Sequence, residues 1–482
     1  MLFERFEVAD LAHYSYAVGC SGAGEAAIVD PERNTDRYLE WAAASDLRIT
    51  RVLETHIHAD FASGAKELAE RAGAELLLSA YDEGELYDVE YEHRPVEHGE
   101  TLEFGAVRLE AVHTPGHTPE HMSYLVYEMS RSEEVPEILL SGDFLFVGSL
   151  GRPDLLGEEA KVALAHRLYD SVRRKLASLP DGLEVAPAHG AGSMCGAGMS
   201  GRPTSTLGFE RVANPYLNPD LSEQQFVEMI LGNVPPFPPY YRRMKELNSV
   251  GPVPVAGTGP LPALNPPDFQ AFIEAEDATV VDLRDITAYA GAHVPGSLGI
   301  GSSGNLTSWA SWLVPYDRPI LIVGEEESQV ADARKRFYRV GLDQIKGYLS
   351  GGITAWNEAG LPVEELRQIS ARQLHDTVVA GETVRILDIR DEGEHASGHI
   401  PGAVQVHGGA LAEGLDGVPN GGGPLVLVCE RGYRSTAVSG VLRQRGFDNL
   451  MNLNGGMVGW RAAGLPVDWV RDEARRSAAG TA

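Results

Sequence analysis

Thr55-His-Ile-His-Ala-Asp60 decides how the first half of this chain is read. It sets two imidazoles and a carboxylate within five residues, directly after the β-rich run 49–55. The flanks alternate in the same way. Residues 25–30 (EAAIVD) read as a strand and 34–46 as a helix. Residues 63–73 (SGAKELAERAG) read as a second helix and 74–79 as a further strand. Segments 101–104 and 107–113, split by Gly105, read as paired strands, and 137–141 as another. Further chemical residues follow these strand ends. Val112-His-Thr-Pro-Gly-His-Thr118 contributes His113, Ser141-Gly-Asp143 a carboxylate, and Ala186-Pro-Ala-His189 one more imidazole. α/β folds place their sites at such positions. Neutral imidazole and carboxylate together suit Zn(II) or Fe(II).

Ten of the 29 prolines fall between Pro235 and Pro267. Such a segment continues neither a helix nor a central strand. Residues 250–267 therefore read as a linker, and those just before it as a tail packed on the first domain. Beyond the linker the chain repeats itself. Val281-Asp-Leu-Arg-Asp285 matches Leu387-Asp-Ile-Arg-Asp391, and Ala292-His-Val-Pro-Gly-Ser297 matches Gly398-His-Ile-Pro-Gly-Ala403. Pro319-Ile-Leu-Ile-Val-Gly324 matches Pro424-Leu-Val-Leu-Val-Cys429, and Gly351–Trp356 matches Gly455–Trp460. The offset stays at 104–106 residues, which marks a duplicated α/β domain rather than a solenoid unit.

The second copy carries a thiol in Leu427-Val-Cys-Glu-Arg-Gly-Tyr-Arg-Ser435, where a strand runs into a helix over 436–445. Backbone N–H groups, the positive end of that helix, and Arg431 and Arg434 all favour the thiolate of Cys429. The first copy has Gly324 at that position, Glu325-Glu-Glu327 after it, and Gln329 in place of Arg434. Three carboxylates would repel a thiolate, so this copy reads as catalytically inactive.

Composition narrows the classes. With 43% hydrophobic and 23% charged residues the chain is an ordinary globular mixture, and its 482 residues suggest about three domains. Its 40 Lys+Arg against 69 Asp+Glu give a net charge of −29, which disfavours nucleic acid and anionic membranes as partners. No apolar run approaches the roughly 20 residues of a membrane span. The start, Met1–Asp10, mixes acids into its apolar stretch, unlike a secretory leader. Three widely separated cysteines fit a reducing, cytoplasmic setting.

The His/Asp motifs resemble the metallo-β-lactamase superfamily, with its HxHxDH pattern followed by single His, Asp and His ligands. This implies an αβ/βα sandwich over about residues 1–250. The last His of HxHxDH is Phe61 here, so the second metal position should be lost and one ion remain. Gly151-Arg-Pro-Asp154 and Ser205–Pro215 narrow the likeness to persulfide dioxygenases, with glyoxalase II enzymes as looser relatives. That likeness implies Fe(II) at His56, His113 and Asp143, with His58 and Asp60 as supporting residues or alternative ligands. His189 is a further supporting or substrate-contacting residue. Arg152, in its Gly-Arg-Pro turn, reads as a contact for an anionic substrate or as a loop salt bridge, and Cys195, in the Gly-rich loop after His189, as a thiol facing the substrate or as buried packing.

The loop at Cys429, with Asp388-Ile-Arg390, Gly398-His-Ile-Pro-Gly402 and the terminal Gly-Gly-x-x-x-Trp460, resembles a rhodanese domain over 368–470. An inactive rhodanese-like domain spans 268–366. Cys429, Arg431 and Arg434 are the expected catalytic residues of the domain over 368–470. The order resembles bacterial persulfide dioxygenase–rhodanese fusions. It implies one Fe(II) per chain, a low-molecular-weight thiol persulfide and O2 as inputs, and sulfite and thiosulfate as sulfur products. The alternative is a zinc thioester hydrolase of glyoxalase II type fused to a sulfurtransferase. A third class is a non-enzymatic persulfide sensor acting through Cys429. The thiol carrier and homo-oligomerisation stay open.

Overall fold

Strand Val107–His113 shows why the first half folds as a sandwich: Val107, Leu109 and Ala111 are buried while Arg108 and Glu110 are less so. Period-two alternation of this kind gives a sheet one apolar face, which must be covered. In the computed structural model, which describes residues 1–82 and 85–469, that face meets a second sheet. Residue 470, the expected end of the last domain, lies outside the described residues. One sheet runs in the order Leu2–Val8, His13–Cys20, Glu25–Val29, Arg48–Leu53, Glu75–Ser79, Arg94–Val96. The other runs Ser205–Thr206, Glu184–Pro187, Ile138–Gly142, Met122–Glu128, Val107–His113, Thr101–Phe104. Tyr16, Val18, Val29, Leu53, Leu109, Val126 and Leu140 fill the space between them. Each such side chain contributes about 1.5–3 kcal/mol of burial. Helices Asp36–Ala44 and Ala65–Ala72 cover the outer face of the first sheet. Helix Glu158–Lys175 covers the second. The result is the αβ/βα sandwich that the motifs imply.

The chain divides into two units, 1–258 with 338–341, and 259–337 with 342–482. The expected tail before the linker is a helix, Tyr240–Val250, in the first unit. The proline-rich segment gives way to regular structure sooner than its composition suggests. Ala263–Leu264 already pairs with Tyr348 and Leu349. Asn265 caps a helix, Pro266–Glu276, whose first residue is a proline, where the missing N–H costs nothing.

The second unit holds both repeat copies. The first has strand order Ala263–Leu264, Ile345–Leu349, Ile320–Val323, Thr279–Asp282, Leu298–Gly299. The second has the same order in Arg367–Ile369, Leu450–Leu453, Leu425–Val428, Arg385–Asp388, Val404–Gln405. All pairings in both are parallel. Detail repeats as well. Arg284 grips Asp282 and Arg390 grips Asp388, each at 2.6 Å. The indole N–H of Trp356 donates to Pro362 O at 2.8 Å, and that of Trp460 to Pro466 O at 2.7 Å.

Candidate metal centre and thiol loop

Strand Arg48–Leu53 delivers the loop that carries His56. Both backbone groups of Ile57 are tied down: its N–H donates to Glu120 Oε1 at 3.0 Å, and its carbonyl accepts from Lys245 Nζ at 3.0 Å. Asn248, from the same tail helix, donates to His58 O and Phe61 O, both at 2.8 Å, and accepts from Ser63 N–H. The tail thus fixes the shape of the His-x-His-x-Asp loop.

Three buried side-chain atoms without hydrogen-bond partners converge beside that loop: His56 Nε2, His117 Nε2 and Asp143 Oδ2. Asp143 Oδ2 lies 3.8 Å from His56 Nε2 and 3.4 Å from His117 Nε2. Buried polar atoms are rarely left unsatisfied, and this spacing suits a cation bonded at about 2.1 Å. The proton arrangement fits as well. Asp30 accepts from the Thr55 hydroxyl at 2.9 Å, so the Thr55 oxygen accepts from His56 Nδ1–H, also at 2.9 Å. His117 Nδ1–H donates to Arg152 O at 2.8 Å. Each ring therefore keeps its proton on Nδ1 and turns a bare Nε2 inward. Burial holds the pKa of both imidazoles well below the ordinary value, so both stay neutral.

His113 is not among these donors. It ends its strand with the ring stacked on Tyr81 at 3.8 Å, and its Nε2–H donates to Pro119 O at 2.8 Å. The donor comes four residues later, after the turn through Gly116. That glycine has φ +151°, and a Cβ there would sit 2.5 Å from Leu168. Both imidazoles of His-Thr-Pro-Gly-His were visible in the sequence; the turn rather than the strand end brings its imidazole to this cluster. His121 supports the neighbouring strand end: its Nε2 accepts from Asp143 N–H at 3.0 Å.

The remaining expected residues surround this trio. His58 Nε2–H donates to Asp30 at 3.2 Å; burial opposes its charge, but Asp30 outweighs it and raises the pKa. His189 lies between two carboxylates, donating from Nδ1 to Asp143 Oδ1 at 2.7 Å and from Nε2 to Asp60 Oδ2 at 2.8 Å. Burial again opposes the charge, and the two carboxylates overcome it, so His189 is held as imidazolium. Asp60, His189 and Cys195 form a second buried group of donor-type atoms within 4.8 Å of one another. Burial, with Asp60 and Asp143 nearby, pushes the Cys195 thiol up to about 12, so it is protonated at neutral pH. Phe61 is fully buried, its ring 4.1 Å from that of His13 and 4.4 Å from that of His58. Arg152 has no donor left for a substrate anion. Its side chain spends its N–H groups on Asp154, Met194 O, Pro235 O and Pro236 O. Its part at the centre is its backbone carbonyl, which orients His117.

In the second unit, strand Leu425–Val428 ends at Cys429 and helix Tyr433–Gln444 begins four residues on. The Cys429 sulfur is buried and accepts from Gly432 N–H at 3.0 Å, with Ser435 Oγ at 3.3 Å. Gly432 has φ +100°, a conformation that favours glycine. Arg431 is exposed. Arg434 is held by Glu394 through two bonds of 2.6 Å and lies close enough to Cys429 to interact with its charge. Burial works against the Glu394 charge, yet Arg434 brings its pKa down to about 2. In the other copy Gln329 ties the loop at Gly324 shut, accepting from Glu325 N–H and donating to Leu283 O and Ser302 Oγ.

Fold and sites together describe a sandwich with a buried His/Asp cluster suited to a metal, joined to a duplicated α/β domain whose second copy carries a thiol loop. The family model "Metallo-beta-lactamase superfamily" matches residues 8–189, and "Rhodanese-like domain" matches 265–359 and 370–463. The chain belongs to the metallo-β-lactamase superfamily and carries two rhodanese-like domains after that fold. It is similar to a probable metallo-hydrolase of Burkholderia pseudomallei, 30% identical over 45% of this chain and 80% of the relative. It is similar to the mitochondrial persulfide dioxygenase of Bos taurus, 29% identical over 45% and 75% respectively. A crystal structure of a metallo-beta-lactamase from Staphylococcus aureus superposes with a TM-score of 0.65 at 33% identity, covering 73% of this chain and 99% of that one. Among the described residues no helix is long and apolar enough to cross a membrane.

Proposed function

We propose that the first unit oxidises a low-molecular-weight thiol persulfide with O2 (RSSH + O2 + H2O → RSH + SO3²⁻ + 2 H⁺). The Cys429 loop then exchanges sulfane sulfur with sulfite, giving or consuming thiosulfate. The observation that carries this is the trio His56 Nε2, His117 Nε2 and Asp143 Oδ2, with Phe61 where a further imidazole would build a second metal position. Two imidazoles and one carboxylate leave open positions for substrate and O2, and Fe(II) bound there would supply the redox chemistry that a d¹⁰ zinc ion lacks. The likeness to the Bos taurus dioxygenase supports the same reading.

The chain's own residues do the preparation. Thr55 and the Arg152 carbonyl hold the two imidazoles in one tautomer and one orientation. His189 aims Asp143 by taking Oδ1, which leaves Oδ2 free. The His13–Phe61 wall keeps bulk water from this side of the site. In the thiol loop, Cys429 takes up the sulfane sulfur while Gly432 N–H holds its Sγ. Three buried cysteines without disulfides suit a cytoplasmic location.

A second reading, zinc-dependent thioester hydrolysis, is favoured by the metallo-hydrolase relative and by the Asp60–His189–Cys195 group. Product analysis separates the two. With persulfide and O2 as the only inputs, the intact chain should release mainly thiosulfate and Cys429→Ser mainly sulfite. Absence of any sulfur oxyanion, together with hydrolysis of a glutathione thioester, would favour the second reading.

A further inference from the structure

The buried sulfur of Cys429 ends a hydrogen-bond chain that runs out to the exposed Gln368, and the direction of the chain can be worked out from that far end. Gln368 Nε2 donates to the Leu366 carbonyl at 3.2 Å, which turns Gln368 Oε1 toward Asn452. Asn452 Nδ2 then donates to Gln368 Oε1 at 3.0 Å, which turns Asn452 Oδ1 toward Ser435. The Ser435 hydroxyl lies 2.6 Å from that oxygen, 3.2 Å from Gly432 O and 3.3 Å from Cys429 Sγ. It has one proton for three acceptors. Gly432 O is already served by Thr436 N–H and Oγ1–H. The contest is therefore between Asn452 and the sulfur, and Asn452 has the shorter contact.

The duplicated copy is an internal control. Strand pairing places Tyr348 where Asn452 stands and Ala263 where Gln368 stands. Loop alignment places Val330 at Ser435 and Gly324 at Cys429. The copy without the thiol lacks every member of the chain, while shared scaffold pairs such as Asp282–Arg284 and Asp388–Arg390 persist. Fold alone does not require Ser435, Asn452 and Gln368; they accompany the sulfur.

We propose that Asn452, oriented by Gln368, is a positioning residue that draws the Ser435 proton away from the Cys429 sulfur until charge develops there. The proposal rests on the sulfurtransferase reading of the loop. In the transfer step an acceptor such as sulfite attacks the outer sulfur of the Cys429 persulfide. A new S–S bond forms, the Cys429 S–S bond breaks, and its electron pair stays on Sγ (Cys–S–S⁻ + SO3²⁻ → Cys–S⁻ + S2O3²⁻). As Sγ becomes a thiolate, the Ser435 hydroxyl swings from Asn452 Oδ1 to Sγ and joins Gly432 N–H in holding the charge. Asn452 thereby makes the resting sulfur less ready to leave and the stabilisation dependent on the reaction. The charged groups around the loop are Arg434, bonded to Glu394 and close enough to interact with the sulfur, with Asp391 and His407 beside that pair. Glu430 is paired with Arg390 and Arg461, and Arg431 is exposed, so the comparison between variants holds all of these constant.

The test is the pH midpoint of iodoacetamide alkylation at Cys429 in the full chain, read by mass spectrometry on its peptide. Ser435→Ala should raise the midpoint and Asn452→Ala lower it, each by about 0.5–1 pH unit, the worth of one hydrogen bond. The double variant should match Ser435→Ala, because no proton is left to release. Gln368→Leu, at an exposed position that folding tolerates, should lower the midpoint in the same sense as Asn452→Ala. Midpoints unmoved by Asn452→Ala and Gln368→Leu, or moved upward by them, overturn the proposal. Thiosulfate:cyanide transfer by the unmodified chain reads the sulfurtransferase assignment separately. Loss of that activity with the opposed shifts intact would remove the transfer step and leave the proton sharing in place.

Discussion

The Nδ1–H of His189 donates to Asp143 Oδ1 at 2.7 Å, and Asp143 Oδ2 is left bare toward His56 and His117. A carboxylate with one oxygen occupied by a buried imidazolium can offer only the other to a cation. His189→Ala should therefore weaken metal retention, by about 10–100-fold as for other outer partners of metal ligands. Competition against a chelator measures it. Unchanged retention would mean Asp143 needs no such partner.

His117→Ala should abolish stoichiometric metal binding, whereas His113→Ala should leave it intact, since His113 is engaged with Tyr81 and Pro119. Metal analysis of the two variants reads the difference. The same pair shows where the sequence was insufficient. Strand ends, the repeat and its offset were legible because alternation and near-identical motifs are local signals. His117 depended on how the chain turns at Gly116. The engagement of Arg152 depended on Met194, Pro235 and Pro236, and that of Arg434 on Glu394; no local pattern announces such partners.

Asn248→Ala should be strongly destabilising for the first unit. Its amide serves His58 O, Phe61 O and Ser63 N–H, the first two from 190 and 187 residues away in sequence. Buried backbone groups left without partners cost roughly 1–3 kcal/mol each. A lowered Tm with metal lost at lower temperature is the expected outcome, and an unchanged Tm would show that the tail does not brace the loop.

Acid should loosen the thiol-loop domain through Glu394. Its folded-state pKa, about 2, lies below its ordinary value, so its contribution is present above about pH 4.5 and is lost as pH falls toward 2. Solvent screening of a half-buried pair keeps this on the order of 1 kcal/mol. Glu394→Gln should flatten the pH dependence of unfolding in that window, as followed by denaturant titration.

Placing a cysteine in the copy that has Gly324 should not give it sulfur-transfer chemistry. At Gly324 a Cβ would lie 3.0 Å from Gln329 Oε1, and Gln329 already satisfies the loop backbone. Gly324→Cys in a Cys429→Ser background should stay without thiosulfate:cyanide transfer. Recovery of wild-type rates would show that the thiol alone was missing.

The central claim is a single redox-active ion held by His56, His117 and Asp143. Oxygen consumption by the chain loaded anaerobically with one Fe(II), on addition of a low-molecular-weight thiol persulfide, tests it most directly. The prediction is one O2 consumed per two persulfides as thiosulfate forms, one per persulfide in Cys429→Ser as sulfite forms, and no consumption by His117→Ala or by the zinc-loaded chain. Absence of O2 uptake at full iron loading, or activity that requires two metal ions per chain, would contradict it.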